Sequence, residues 1–153
     1  MSPSSFRMDV KVITFDQFSI PELYEVLRLR SEVFVVEQDC VYQDIDNKDQ
    51  KAIHIIGFEN DTVVAYTRFF KPGDYFEQAS IGRVVVLPKH RGKDHGKEIM
   101  QKSIDFAKEQ GFPSINISAQ CYLDKFYTDL GFKATGKKYL EDGIPHQEMV
   151  KML

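Results

Sequence analysis

The chain has 153 residues, 42% of them apolar and 28% charged, the make-up of one ordinary globular domain that buries about 70% of the surface its unfolded form exposes. A formal net charge of −3 gives no overall attraction for nucleic acid. No apolar run approaches the roughly 18 residues of a membrane span, and the N-terminal MSPSSFRMDV lacks the apolar stretch of a secretory signal.

Residues 10–15 (VKVITF) read as a strand, preceded by a loosely held tail. Ser19 ahead of Ile20-Pro21-Glu22 starts a helix, with a proline and an acid in the first turn. Leu23, Val26, Leu27 and Phe34 then share a face, and the helix is expected to run to about Gln38. The acidic DCVYQDIDNKDQ that follows reads as a surface loop. AIHIIGFEN and TVVAYTRFF flank Asn60-Asp61 as a hairpin. Pro72-Gly73-Asp74 makes the next turn, and SIGRVVVLP is a strand ended by Pro88. Met100, Ile104 and Ala107 mark a helix over 96–110, stopped by Gly111 and Pro113. SINISA is a short strand, CYLDKFYTDL a short helix closed by Gly131, and FKATGKKYL and HQEMVKML are two last strands separated by the turn residues Glu141–Pro145. The order β-α-β-β-β-α-β-α-β-β predicts one α/β domain with a mixed sheet over residues 1–153.

The most informative stretch is LPKHRGKDHGKEIM, residues 87–100, between a strand and a helix. Free backbone N–H groups at a helix N-terminus, two glycines without Cβ atoms, and the charges of Arg91 and Lys93 suit a phosphorylated ligand. A nucleotide P-loop is excluded, because Arg91 stands at the first glycine position and Glu98 at the Ser/Thr position. The dinucleotide fingerprint G-x-G-x-x-G is absent. Cys40 and Cys121 have no CxxC spacing, which argues for two free thiols in a reducing cytoplasm rather than a disulfide or zinc site. The Asp44–Asp49 segment fails the EF-hand pattern at Lys48 and Asp49. No metal is expected.

The segment Val86-Leu87-Pro88-Lys89-His90-Arg91-Gly92-Lys93-Asp94-His95-Gly96 resembles the acetyl-CoA motif of the GNAT (GCN5-related) N-acetyltransferases, Q/R-x-x-G-x-G/A, with Asp94 in place of the middle glycine. Phe126-Tyr127-Thr128-Asp129-Leu130-Gly131-Phe132 resembles the family's F-Y-x-x-x-G-F signature. LRSEVFVVEQDCVYQDIDNKD, the His54 strand, IGRVVV and EDGIPH are together similar to the ElaA-like branch, so the resemblance covers nearly the whole chain. It implies a GNAT fold, with a mixed, mostly antiparallel sheet flanked by helices, and acetyl-CoA as co-substrate.

From that resemblance follow the expected roles. Backbone groups of Val84, Val85 and Val86 hold the pantetheine arm and polarise the thioester carbonyl. Arg91, Gly92, Lys93, Asp94, His95, Gly96 and Lys97 surround the pyrophosphate, with Asp94 either turned to solvent or capping the helix. Gln120 stands where relatives have a cofactor-contacting asparagine. Tyr127, a phenol protonated at neutral pH, is the general acid for the departing thiolate. A Cys121 nucleophile is not required for direct transfer. Glu37, His54, Glu141 and His146 are candidate bases, with His54 alternatively a solvent-facing strand residue. Arg28, Arg30 and Arg83 are candidate acceptor-site charges, with Arg30 alternatively on a solvent face. The expected acceptor is a small-molecule primary amine, an amino sugar phosphate or a polyamine-like amine. A protein lysine or N-terminal acetyltransferase and a non-catalytic acyl-CoA-binding module are the competing readings. The family is often dimeric, which leaves a homodimer open.

Overall fold

The computed structural model describes residues 8–153. The expectation for the preceding tail concerns residues outside this range, except for its last part. The elements run β1 (Asp9–Thr14), α1 (Ile20–Ser31), β2 (Ile53–Glu59), β3 (Thr62–Phe70), β4 (Ala79–Val86), α2 (His95–Glu109), β5 (Ser114–Gln120), α3 (Asp124–Asp129), β6 (Lys133–Glu141) and β7 (Ile144–Met152). This is the order read from the sequence. The strands form one sheet in the order β1-β2-β3-β4-β5-β7-β6, parallel only between β4 and β5 and antiparallel elsewhere.

The sheet is covered on both faces, and the strand alternation divides its side chains between two cores. Ile55 and Ala65 join Ile99, Met100 and Ile104 of α2 on one face. Their neighbours Ile56 and Tyr66 join Val26, Leu29 and Val33 on the other. The short α3 lies on the α2 side, through Tyr127 and Leu130.

The first helix departs from the expected plain cylinder. Ser19 caps it, its hydroxyl accepting from the Glu22 N–H at 3.1 Å while the Glu22 carboxylate accepts from the Ser19 N–H at 3.0 Å. Beyond Ser31 the backbone widens into a π-turn over Glu32–Glu37, with Gln38 N bonding Val33 O at 3.2 Å and Cys40 N bonding Val35 O at 3.0 Å. Three valines crowd this segment, where β-branched side chains weaken α-helical packing. The buried stripe is Val26, Leu29, Arg30 and Val33; of the four residues expected Val26 is in it, and Leu23, Leu27 and Phe34 are half-buried.

Candidate active site

The parallel strands β4 and β5 pair only at Ala79–Ile115 and Ser80–Asn116, and then diverge. The pairing of β3 with β4 is also irregular here, shifting register between Tyr66 and Arg68. Arg83, opposite that shift, has φ +48°, a left-handed conformation that costs a non-glycine residue about 1–2 kcal/mol. Its guanidinium offsets that cost: Nε lies 2.7 Å from Asp44 Oδ1 and Nη2 3.4 Å from Asp46 Oδ2, and the group sits 5.9 Å above the Phe34 ring. A cavity of about 700 Å³ fills the wedge, with Val84, Val85 and Val86 on one wall and Ile117, Ser118 and Gln120 on the other.

A hollow of about 390 Å³ continues from the wedge past Val86 and Arg91 to Gly92, Asp94, Gly96 and Lys97. Gly92 (φ +84°) and Asp94 (φ +63°) are both left-handed, so the chain reverses tightly before α2 begins at His95. A left-handed backbone is what a glycine would meet most easily at position 94, and aspartate is among the few side chains that tolerate it. Asp94 is exposed and makes no capping hydrogen bond, so of its two expected roles it takes the solvent-facing one. The first N–H groups of α2, from His95 to Lys97, have no acceptor within the helix and face an anion-sized space.

The loop's side chains are already engaged. Arg91 donates through Nε to the Val86 carbonyl at 3.2 Å and through both Nη atoms to Glu37, at 2.8 and 2.7 Å. Those Arg91 hydrogen bonds hold the Glu37 carboxyl below its usual pKa, so Glu37 is an ionised partner rather than a free base. Lys93 and His95 turn away from the wedge to Glu59, at 3.1 and 2.7 Å. His95 is buried, its imidazole turned to Glu59.

Tyr127 sits in the floor of the wedge, 6% exposed and edge-on to Phe126 and Phe132. Its hydroxyl has no hydrogen-bond partner among the described residues. Burial, with a smaller contribution from Tyr122, pushes the phenol pKa up, so it stays protonated. His146 also lines the cavity. Its Nδ1 is 2.7 Å from the Ile144 carbonyl, an acceptor only, so the ring proton is on Nδ1. Nε2, the other ring nitrogen, is 3.3 Å from Glu141 Oε2.

Arg30 and His54 are not on the wedge wall. The expected alternatives, a solvent face for either, an acceptor-site charge for Arg30 and a base for His54, give way to burial at 0% and 1% exposure. The acidic segment after α1 is likewise no plain surface loop, because Asp49 is buried and Asp44 and Asp46 are largely enclosed. Arg30 donates to Asp44 and Asp49, both at 2.9 Å. Arg68 donates to Asp46 at 2.8 Å and to Asp49 at 2.9 Å. His54 donates from Nε2 to the Asp49 carbonyl at 2.9 Å and accepts the Tyr66 hydroxyl on Nδ1 at 2.5 Å. Burial lowers the His54 pKa, which keeps the ring neutral. This network lies on the α1 face and fixes the segment whose Tyr42, Gln43 and Asp44 line the wedge. Sequence reasoning missed Asp44, Asp46 and Asp49 as a set, and Arg68. The available signal was three aspartates within six residues and an arginine amid the apolar residues of a strand.

Residues 17–153 match the family described as acetyltransferase (GNAT) domain. The chain is 41% identical over 139 residues to Protein ElaA of Escherichia coli, covering 88% of this chain and 90% of that protein. The crystal structure of Escherichia coli ElaA superposes with a TM-score of 0.87 at 37% identity, over 95% of this chain and 99% of that one. An acyl-CoA N-acyltransferase from Pseudomonas aeruginosa gives 0.86 at 34% identity, over 94% and 99%.

Proposed function

This chain belongs to the GNAT acetyltransferase family and is an acetyl-CoA-dependent N-acetyltransferase, and we propose that it transfers the acetyl group directly to a primary amine carried on an apolar or cationic body. The observation that carries the reading is the β4–β5 wedge, open along Val84–Val86 and floored by Tyr127. Acetyl-CoA supplies an activated thioester, whose acyl carbon accepts the amine lone pair as the carbon–sulfur bond breaks. Backbone groups of Val84–Val86 orient the pantetheine arm and polarise the carbonyl. The N–H groups of Gly92 to Lys97 hold the pyrophosphate, and Gln120 borders the arm. Tyr127 gives its proton to the leaving sulfur. Its raised pKa does not disqualify it, since burial in the same wedge disfavours a thiolate as well. The amine proton goes to His146 Nε2, and the neighbouring Glu141 carboxylate stabilises the imidazolium.

The acceptor class follows from charge. Arg83, the one arginine of the predicted acceptor set on the cavity wall, is paired with Asp44 and Asp46, which offset its charge. Around it stand the rings of Phe34, Phe70, Tyr75 and Phe76 with the carboxylates of Glu141 and Asp142. Such a wall favours aromatic amines and polyamines over an amino sugar phosphate. No helix of the described residues is long and apolar enough to cross a membrane, and the free thiols of Cys40 and Cys121 suit the cytoplasm as the working compartment.

The test is release of free CoA thiol from acetyl-CoA across arylalkylamines, polyamines, amino sugar phosphates and lysine peptides. Turnover concentrated on the first two classes is expected. Turnover on amino sugar phosphates alone would overturn the acceptor class, and turnover on peptides alone would favour a protein acetyltransferase. A protein that binds CoA but acetylates no amine would contradict the catalytic reading.

A further inference from the structure

Behind the pyrophosphate loop, on the side away from the wedge, three side chains from separate elements meet. Glu59 ends β2, His90 closes the short turn Pro88–His90, and His95 opens α2. One ligand atom from each lies within 4.8 Å of the others, the one such group of three among the described residues. Glu59 Oε2 is 2.7 Å from His95 Nε2 and 3.3 Å from His90 Nδ1. The sequence holds no motif for this, because 31 residues separate Glu59 from His90.

His90 makes the cluster more than an ion pair. Its Nδ1 is buried and has no hydrogen-bond partner, although the carboxylate oxygen is close. An orphaned ring nitrogen aimed at a carboxylate is what a missing ion would leave. His95 Nδ1 is orphaned too, but it would lack a partner whether Nε2 donated a proton to Glu59 or bound a metal. The case therefore rests on His90.

We propose that Glu59, His90 and His95 form a binding site for a divalent transition-metal ion, zinc by the chemistry of its ligands. Two imidazoles and a carboxylate are a recurrent zinc set. Metal–ligand bonds of about 2.0–2.1 Å in a tetrahedron put ligand atoms roughly 3.3 Å apart, which is the present separation of Glu59 and His90. The Glu59–His95 contact opens by about 0.6 Å to fit the same geometry. Side-chain exposures of 11%, 24% and 1% for Glu59, His90 and His95 leave the fourth position to water.

Lys93 is the competitor. Its ammonium lies 3.1 and 3.4 Å from the two Glu59 oxygens and cannot stay beside a dication. Its side chain is one-third exposed, so it swings out when the ion enters. That releases a cation of the pyrophosphate loop towards the phosphates.

The experiment titrates zinc, and separately cobalt(II) as a spectroscopic probe, into the full-length protein after chelator treatment, using calorimetry and visible absorption. One equivalent per chain with the spectrum of a four-coordinate nitrogen/oxygen site is expected. His90→Ala should weaken zinc binding by at least about tenfold, and Lys93→Ala, removing the competing ammonium, should tighten it several-fold. A Cys40→Ser/Cys121→Ser variant should bind as the parent does. No stoichiometric binding, binding unchanged in His90→Ala, or binding lost with the cysteines would each overturn the proposal. His90→Ala should also keep the parent's melting temperature in chelator, which separates loss of a ligand from loss of the fold.

Discussion

Asp49 shows how much of the buried network beside the wedge depends on one side chain. Its Oδ1 accepts from Arg30 and from Arg68 at 2.9 Å each, while its carbonyl accepts from His54. Removing one partner of a buried ion pair costs about 3–5 kcal/mol, because the remaining charge is left uncompensated. Asp49→Ala should lose that much stability in urea denaturation, and a loss below about 1 kcal/mol would mean the network relaxes or hydrates freely. The sequence could reveal Tyr127, whose F-Y-x-x-x-G-F context is local. It could not reveal the surroundings of His54. That residue alternates with Ile53 and Ile55, and in a one-sided sheet the alternate face would be wet. Here both faces are covered, so alternation separates two cores instead of core from solvent.

Among the elements, the start of α2 is where the proposed coenzyme site can be tested. A Cβ added at Gly96 would meet Val86 Cγ2 at 3.5 Å and the Phe126 ring at 3.6 Å, ordinary contacts that the fold accepts. The same methyl would stand in the phosphate hollow that Gly96 borders. Gly96→Ala should therefore leave the melting temperature unchanged or slightly raised, since alanine is favoured over glycine in a helix by about 0.5–1 kcal/mol. It should weaken CoA binding by about 10-fold or more, as expected if a charge-assisted hydrogen bond worth roughly 1.5–3 kcal/mol is lost. Thermal unfolding of the free protein checks the first expectation and calorimetry of CoA binding the second. The strand–loop–helix was legible because glycine, proline and β-branched runs are local signals. The bulge at Arg83 was not, since it answers to tertiary contacts with Asp44 and Asp46, and the π-turn after Ser31 was overlooked although its run of valines is a local signal.

At the scale of the whole molecule, the order of elements was readable but the order of strands was not. Insertion of β7 between β5 and β6 rests on pairings of residues more than 25 positions apart, such as Ile117 with Met149, for which no local pattern exists. Acid stability belongs to this scale too. Burial alone would raise the Asp46 pKa, but hydrogen bonds from Arg68, its charge, the Lys48 N–H and Arg83 bring it from 3.8 to about 2. A depressed folded-state value means that the contribution is fully present above the unfolded pKa and is lost as pH falls through 3.8 towards about 2. Asp49, Glu37 and Glu22 are shifted in the same direction. Unfolding free energy should decline gently below about pH 6.5, where the unfolded chain protonates a His54 that burial keeps neutral in the fold, and then drop steeply below about pH 4. Asp46→Asn should flatten that drop, and an unchanged slope would assign it to other groups.

The wedge, the loop and the phenol meet in a single measurement: the rate of CoA release by Tyr127→Phe beside its CoA affinity. The variant should lose about 10²- to 10⁴-fold in kcat, the range of a general acid. Its Kd for CoA should stay within about threefold of the parent's, because Tyr127 lines the floor of the wedge without holding the phosphates. A parental rate with parental affinity would remove Tyr127 from the chemistry and contradict the account.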